Sequence, residues 1–229
     1  MIMIIIRCIL VVDEHKGDET MEELNLQPEI SLAAAKVIRE RRTIRRFAKR
    51  ALSGEELEAM FRLAERAVTL EYDPEALRFV IFATEEGKRQ TTAAIMAAYS
   101  NQGLYRWIPG KLLQTLAEQV AKTPAIVAVI RRETDDPSFN DRQLAAASAM
   151  IHGFTLLAWE RKLGLVWNTE PVIGHEALFS GIGLAADERL VCLLYLGEYD
   201  KIPKGKMRKS AFERWTVLEN ARREEKQTR

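Results

Sequence analysis

The spacing of apolar residues predicts two amphipathic helices at the start of the globular part of the chain. After Ser31, which can cap a helix, apolar residues recur at helical spacing as far as Ile38. The stretch SGEE at 53–56 is a capping box, and an apolar stripe follows it as far as Val68. These patterns predict one helix that runs into the arginine-rich stretch after residue 40, and a second helix of about four turns.

Four apolar segments predict strands. Three of them are continuous runs rich in β-branched, leucine or aromatic residues: LRFVIFAT at 77–84, AIVAVI at 125–130 and RLVCLLYLG at 189–197. The segment VWNTEP at 166–171 predicts a short strand that ends in a turn. The three continuous runs have the composition of buried core strands.

Helical patterns occupy much of the remaining sequence, at 86–100, 111–122 and 142–162, with an acidic loop at 133–141 before the last of them. We expect the third of these helices to be the longest and to end at Gly164 as its C-terminal cap. Small residues dominate its first half, LAAASAMIHG at 144–153. Small side chains let another helix approach closely, in a core or at a subunit interface.

The predicted order is α, α, β, α, α, β, α, β, β. This is not a regular βαβ alternation, so we expect an α+β layered domain and not a doubly wound parallel sheet. That domain is predicted at 29–218. It follows an extension of unknown order at 1–28 and precedes a polar tail at 219–229.

Composition limits the possible compartments and partners. The chain has 34 Lys plus Arg and 33 Asp plus Glu, a net charge of +1, which argues against a nucleic-acid partner. The apolar run at the N-terminus is too short to span a bilayer and lacks the features of a signal peptide, so no membrane partner is expected. Cys8 and Cys192 form no CxxC motif, and a cytoplasmic location is the default.

Several familiar motifs are absent from the sequence. His15, His152 and His175 are not paired at a metal-binding spacing, so no metal site is predicted. His152 lies in an apolar helical pattern, which favours a histidine satisfied within the core. The stretch GIGLAA at 181–186 matches GxGxxA, but it does not follow a clear strand and precedes one, so it is not a dinucleotide-binding turn.

Two basic motifs remain as candidates for ligand binding. The first is RRTIRR, with Arg41, Arg42, Arg45 and Arg46 around Thr43, and the second is the KxR of Lys206 and Arg208. Arginine forms bidentate bonds with phosphate oxygens, and lysine adds a point charge. The alternatives are a solvated helix end, where basic side chains favour the helix dipole, and a basic tail without a ligand.

The order of these motifs resembles the FMN-dependent nitroreductase family. Members of that family have a first helix leading into an RRSxRxF motif, here RRTIRRF, with Thr43 in the place of serine. A central alanine-rich helix ending in a GLG-like turn corresponds to the segment that leads to KLGLVWNTEP. The last core strand with its glycine is LLYLGEY, and the KxR motif is KMR. The resemblance covers about residues 31–218.

This resemblance implies a fold, cofactors and a binding site. The fold would be a nitroreductase-like homodimer with a mainly antiparallel sheet between helices, binding FMN with NADH or NADPH as electron donor. Arg41, Thr43 and Arg45 would contact the flavin phosphate, ribityl chain or ring, with Arg42 beside them. Lys206 and Arg208 would complete the phosphate clamp, and Asn168 and Thr169 would lie near the flavin N5 edge. No side chain is assigned as a catalytic acid or base.

One segment departs from the family pattern. Members carry a PSxxNxQPW-like stretch whose asparagine contacts the flavin ring, whereas residues 69–79 here read TLEYDPEALRF, with Asp73 in the asparagine position. A carboxylate beside the flavin would disfavour its anionic reduced form.

The leading hypothesis is therefore an FMN-dependent enzyme that passes hydride from NAD(P)H through flavin N5 to a small acceptor. Nitroaromatics, quinones and enones are the acceptors considered. The second hypothesis, motivated by the altered 69–79 segment, is a family member that binds flavin or another phosphorylated ligand without turnover. The third is a nucleic-acid or acidic-protein binder that uses residues 41–50. The aromatics Tyr99, Tyr105 and Trp107 are expected in a lid over the flavin or in the core.

Overall fold

The computed structural model describes residues 33–101 and 110–205. Within these ranges the helices are α1 (Ala33–Glu40), α2 (Gly54–Glu65), α3 (Glu85–Asn101), α4 (Gly110–Ala121), α5 (Pro137–Glu160) and α6 (Glu176–Ile182). The strands are β1 (Leu77–Phe82), β2 (Ala125–Arg132), β3 (Leu163–Asn168) and β4 (Glu188–Glu198). Two 3₁₀ turns, Pro74–Ala76 and Pro171–Gly174, precede β1 and α6.

The four strands form one antiparallel sheet in the order β1-β2-β4-β3. Helices cover both of its faces, which explains why β2 and β4 read as nearly continuous apolar runs. The side chains of Ala125, Val127 and Val129 enter the layer that contains α2 and α5. Those of Ile126 and Ile130 enter the opposite layer, with α3, α4 and α6. The predicted α+β layered fold is confirmed.

Helix α2 forms as its sequence predicts. The side chain of Ser53 accepts a hydrogen bond from the Glu56 backbone N–H at 3.4 Å, which satisfies one of the free donors of the first turn. Leu57, on the first turn, is buried in the core. In the same layer the rings of Phe61 and Phe154 stack with centroids 3.8 Å apart, and this contact joins α2 to α5.

The prediction for the ends of α5 was wrong. The helix begins at Pro137, because Asp136 caps it by accepting a hydrogen bond from the Ser138 backbone N–H at 2.9 Å. Proline at the first helical position suits this start, so part of the predicted acidic loop is helical. At the other end Lys162, with a φ of 60°, adopts the left-handed conformation that was expected of Gly164. Gly164 lies instead within β3.

Helix α6 was not predicted. It is only seven residues long, and it ends at Gly183, whose φ of 71° closes the helix. GIGLAA therefore contains a helix end and not a strand-to-helix turn, in agreement with the rejection of a dinucleotide-binding motif.

Residues 1–32, 102–109 and 206–229 lie outside the described ranges. The predicted extension at 1–28, the polar tail at 219–229 and the aromatics Tyr105 and Trp107 fall within them, and so does the KxR motif. In the part of the chain that the structure covers, no helix has the length and apolar character needed to cross a bilayer.

Candidate active site

The arginine-rich stretch after α1 crosses the outer strand β3 in an extended conformation. The Ile44 backbone N–H donates to the Leu165 carbonyl at 3.4 Å, and the Ala48 N–H donates to the Glu198 carbonyl at 2.7 Å. Ile44 is 2% exposed, whereas Arg45 is exposed. Burial of Ile44 therefore fixes the segment to the sheet and leaves charged side chains outside the core.

Two glycines make this crossing possible. Gly164 and Gly197 are opposite each other in the register of β3 and β4. A Cβ atom at Gly164 would lie 2.4 Å from the Ile44 Cβ, and one at Gly197 would lie 2.6 Å from the Phe47 Cβ. Real Cβ atoms do not approach so closely, so both positions need glycine for the segment to lie this near the sheet.

A cavity of about 390 Å³ opens beside the crossing. This volume is in the range typical of small-molecule sites. The cavity is lined by the arginine segment, by the end of β3 with its turn, by Tyr195 of β4, and by residues of α3, α4 and α5. Its main lining residues are Arg41, Thr43, Arg45, Phe47, Tyr99, Leu116, Gln119, Val120, Thr123, His152, Thr155, Trp167, Asn168, Thr169, Glu170 and Tyr195.

The structure brings five of the predicted site residues into this one cavity. Arg41, Thr43 and Arg45 come from the crossing segment, and Asn168 and Thr169 come from the end of β3. They are separated by more than 120 positions in the sequence.

Two predicted residues lie elsewhere. Arg42 is outside the cavity lining, and its guanidinium donates to the carbonyls of Arg39 at 2.6 Å and Arg41 at 3.0 Å. Asp73 is also outside the lining, where it caps the 3₁₀ turn by accepting from the Glu75 N–H at 3.0 Å. Their roles as flavin contacts stay predictions. Lys206 and Arg208 are outside the described residues.

A chain of polar contacts runs along the wall that contains the end of β3. The Tyr99 hydroxyl donates to the Glu170 carboxylate at 2.5 Å, and the Glu170 N–H donates to the Asn168 Oδ1 at 2.8 Å. The Asn168 Nδ2 in turn donates to the Tyr195 hydroxyl at 3.3 Å. Burial raises the pKa of Tyr195 to about 12, so this phenol stays protonated at neutral pH. The amide of Asn168 is thereby held in one orientation.

No local pattern in the sequence indicates these partners. Tyr99 and Glu170 lie 71 positions apart and meet because α3 packs beside the turn after β3. The interpretation of His152 as a core histidine was wrong: its side chain is exposed and lines the cavity. The spacing of apolar residues placed His152 on the apolar face of a helix, but α5 presents this position on the side that faces away from the sheet.

The free cysteine of the core is not a candidate for catalysis. Cys192, on β4, is fully buried, and burial raises the pKa of its thiol to about 12. Such a thiol is not a nucleophile at neutral pH. Among the described residues, no group of three or more histidine, cysteine, aspartate or glutamate side chains is arranged to hold a metal ion.

Comparison with known proteins agrees with this architecture. The family model described as the nitroreductase family matches residues 38–198. This chain therefore belongs to the nitroreductase family, as its motifs had predicted.

Individual relatives match about four fifths of this chain. YfhC of Bacillus subtilis strain 168, a proposed NAD(P)H nitroreductase, is 27% identical over 182 residues, covering 80% of this chain and 92% of its own. A nitroreductase-like family protein from Bacillus cereus is 30% identical with a TM-score of 0.73, over 82% of this chain and 97% of that one. A proposed nitroreductase from Desulfovibrio desulfuricans, solved in complex with FMN, is 19% identical with a TM-score of 0.58, over 81% and 96%.

Proposed function

We propose that this protein is an FMN-dependent oxidoreductase that transfers reducing equivalents from NAD(P)H to a small organic acceptor such as a nitroaromatic, quinone or enone. The observation that carries the proposal is the single cavity that collects Arg41, Thr43, Arg45, Asn168 and Thr169. Family membership, the name of the Bacillus subtilis relative and the FMN complex of the Desulfovibrio desulfuricans protein support the enzyme class and both cofactors.

The residues of the cavity fit FMN. Two arginines suit a phosphate, because guanidinium N–H groups match its oxygens in a bidentate geometry. The Asn168 amide and the Thr43 hydroxyl suit the polar atoms of a flavin ring and ribityl chain. Leu116, Val120 and Trp167 provide apolar surface for a planar ring system.

The arginine segment and the end of β3 would then contact different parts of the cofactor. The arginine segment would hold the phosphate, and Ile44 anchors that segment to the sheet. The bonds from Asn168 to Tyr195 and from the Glu170 N–H to Asn168 keep the amide fixed. FMN held there would supply the redox chemistry, the transfer of reducing equivalents from NAD(P)H to the acceptor.

The alternative of a family member without turnover rests on the altered 69–79 segment. Asp73, the residue that departs from the family pattern, does not line the cavity of this chain. Its carboxylate lies 3.8 Å from the Arg132 guanidinium, on another part of the surface.

We also propose that the protein is a homodimer. The outer face of α5 exposes Leu144, which is 42% exposed, together with Ala145 and Ala149. The apolar stripe of α1 is also open to solvent, with Ile38 58% exposed. A second copy covering these faces would remove both from water. Light scattering on a size-exclusion column should give twice the chain mass, and Leu144→Lys should shift the protein towards the monomer.

The test of the enzyme is direct. Purified protein is mixed with FMN, desalted and examined by visible absorption. It is then mixed anaerobically with NADH or NADPH, and afterwards with a nitroaromatic or a quinone. We expect retained flavin, bleaching by at least one nicotinamide and reoxidation by an acceptor. Retained flavin that neither nicotinamide reduces would support binding without turnover, and failure to retain flavin would remove the proposal.

A further inference from the structure

Glu170 is held in the cavity wall by one hydrogen bond to its carboxylate and one from its backbone. Tyr99, from α3, donates its hydroxyl to one carboxylate oxygen at 2.5 Å. The Glu170 backbone is fixed by its bond to Asn168 and by the following Pro171, which restricts the preceding residue to extended conformations. Its φ of −65° and ψ of 157° agree with that restriction.

This carboxylate has no structural task that would explain its charge. Glu170 occupies the N-cap position of the 3₁₀ turn Pro171–Gly174, yet its side chain makes no capping hydrogen bond. Within residues 33–101 and 110–205, no lysine, arginine or histidine forms an ion pair with it. The phenol of Tyr99 orients the carboxylate without neutralising it.

The backbone of the arginine segment and Glu170 meet β3 at different points along the strand. The arginine segment bonds to β3 at Leu165, whereas Glu170 follows the end of the same strand. At a rise of about 3.3 Å per residue, Leu165 and Asn168 are about 10 Å apart, and Glu170 lies two residues further on. A phosphate at the arginines would compensate their charge, which leaves Glu170 as a fixed negative charge in the cavity wall.

From this arrangement we propose that Glu170, positioned by Tyr99, makes the cavity select its organic ligands by charge. Neutral and cationic aromatic compounds are accepted, and aromatic carboxylates are disfavoured by repulsion. The inference rests on the proposed function, since it concerns the acceptor of that same site. Glu170 is thus a specificity-determining residue, and Tyr99 is a positioning residue.

The first test is equilibrium binding, which needs no turnover. FMN-loaded protein is titrated with benzoate, benzamide and benzamidine, three planar compounds of similar size and different charge, and the shift of the flavin spectrum is followed. We expect benzamidine to bind about fivefold to tenfold more tightly than benzoate, a size set by partial screening of a half-exposed carboxylate. Glu170→Gln should bring this ratio close to one.

The matched control is Glu176→Gln. Glu176 is exposed at the start of α6 and does not line the cavity, so this variant changes the net charge equally. It should keep the ratio of the original protein. A Tyr99→Phe variant should lower the ratio at least twofold, because the carboxylate is no longer held. An unchanged ratio in Tyr99→Phe would refute the positioning role.

The second test is kinetic and separates this inference from the proposed function. The ratio of kcat/KM for 4-nitrobenzamidine over 4-nitrobenzoate is measured in the original protein and in Glu170→Gln. A ratio above one that collapses in the variant supports charge selection. Equal rates with both compounds in the original protein would overturn it while leaving the oxidoreductase intact. Absence of flavin reduction would overturn the proposed function, and the binding titration would still decide the role of Glu170.

Discussion

Gly164 and Gly197 face each other across the β3–β4 pair and leave a gap in which the backbone of the arginine segment lies. Ile44 fills the space above the first glycine, and Phe47 fills the space above the second. The position of the arginine side chains thus depends on two residues that carry no side chain of their own.

Replacing either glycine should therefore damage ligand binding as well as stability. In Gly164→Ala the new Cβ would meet the Ile44 side chain at 2.4 Å, so the segment must move outward. We expect a loss of about 1–3 kcal/mol in the free energy of unfolding, as in other overpacked cores, and weaker FMN binding. Urea unfolding and FMN titration measure the two effects.

The control for this change is Gly174→Ala. A Cβ at Gly174 would meet no atom within 4 Å, so this variant should bind FMN and unfold like the original protein. Normal FMN affinity in Gly164→Ala would show that the arginine segment does not need its present position.

Individual arginines should differ in their effect on FMN affinity. Arg41 and Arg45 line the cavity, and a charge-assisted bond to phosphate contributes about 1.5–3 kcal/mol, so Arg45→Ala should weaken FMN binding by about tenfold or more. Arg46, its neighbour in the sequence, is exposed and outside the lining, and Arg46→Ala should change the affinity little. Fluorescence titration with FMN compares them. Equal losses in both variants would indicate a general electrostatic effect of the basic segment.

The ion pair between Arg78 and Glu188 should make stability depend on pH. The Arg78 guanidinium bonds both carboxylate oxygens, at 2.8 and 2.5 Å, and these bonds lower the pKa of Glu188. A lowered folded pKa means that the stabilisation is complete above the ordinary glutamate pKa of about 4.3, and is lost as the pH falls through the folded value. Glu188→Gln should cost about 1 kcal/mol at pH 7, because Arg78 is partly exposed.

Urea unfolding at several pH values tests this pair. The difference between the original protein and Glu188→Gln should shrink below pH 4. The variant Glu58→Gln disrupts the more exposed pair with Arg62 and should show a much smaller difference at pH 7. A Glu188→Gln difference that stays constant from pH 7 to pH 3 would rule out ionisation of this carboxylate as its source.

Cys192 should be inert to thiol reagents in the folded protein. Burial raises the pKa of its thiol to about 12, so the reactive thiolate at pH 8 is scarce. In a Cys8→Ser variant, which leaves Cys192 as the one cysteine of the chain, iodoacetamide should modify no thiol in buffer and one in urea. Mass spectrometry counts the adducts. Rapid modification without urea would show that β4 opens readily.

The local patterns of the sequence were sufficient for most of the secondary structure. The Ser53 cap with its apolar stripe predicted α2, and the continuous apolar runs predicted β1, β2 and β4, because each depends on residues near one another in the chain. The RRTIRRF motif likewise pointed to a phosphate site, since its residue types carry that chemistry in themselves. The family and its layered fold followed from the order of such motifs.

Tertiary packing decided the rest. Gly164 looked like a helix cap, but close approach of Ile44 required glycine within a strand. His152 and Glu170 reached the cavity because α5 and the β3 turn present them to it, and Tyr99 met Glu170 across 71 positions of sequence. Contacts of that range depend on how helices pack on the sheet, which no local pattern of apolar residues specifies. The sequence by itself determined most of the elements and the residue types that suit a phosphate, and the folded chain determined which side chains share the cavity.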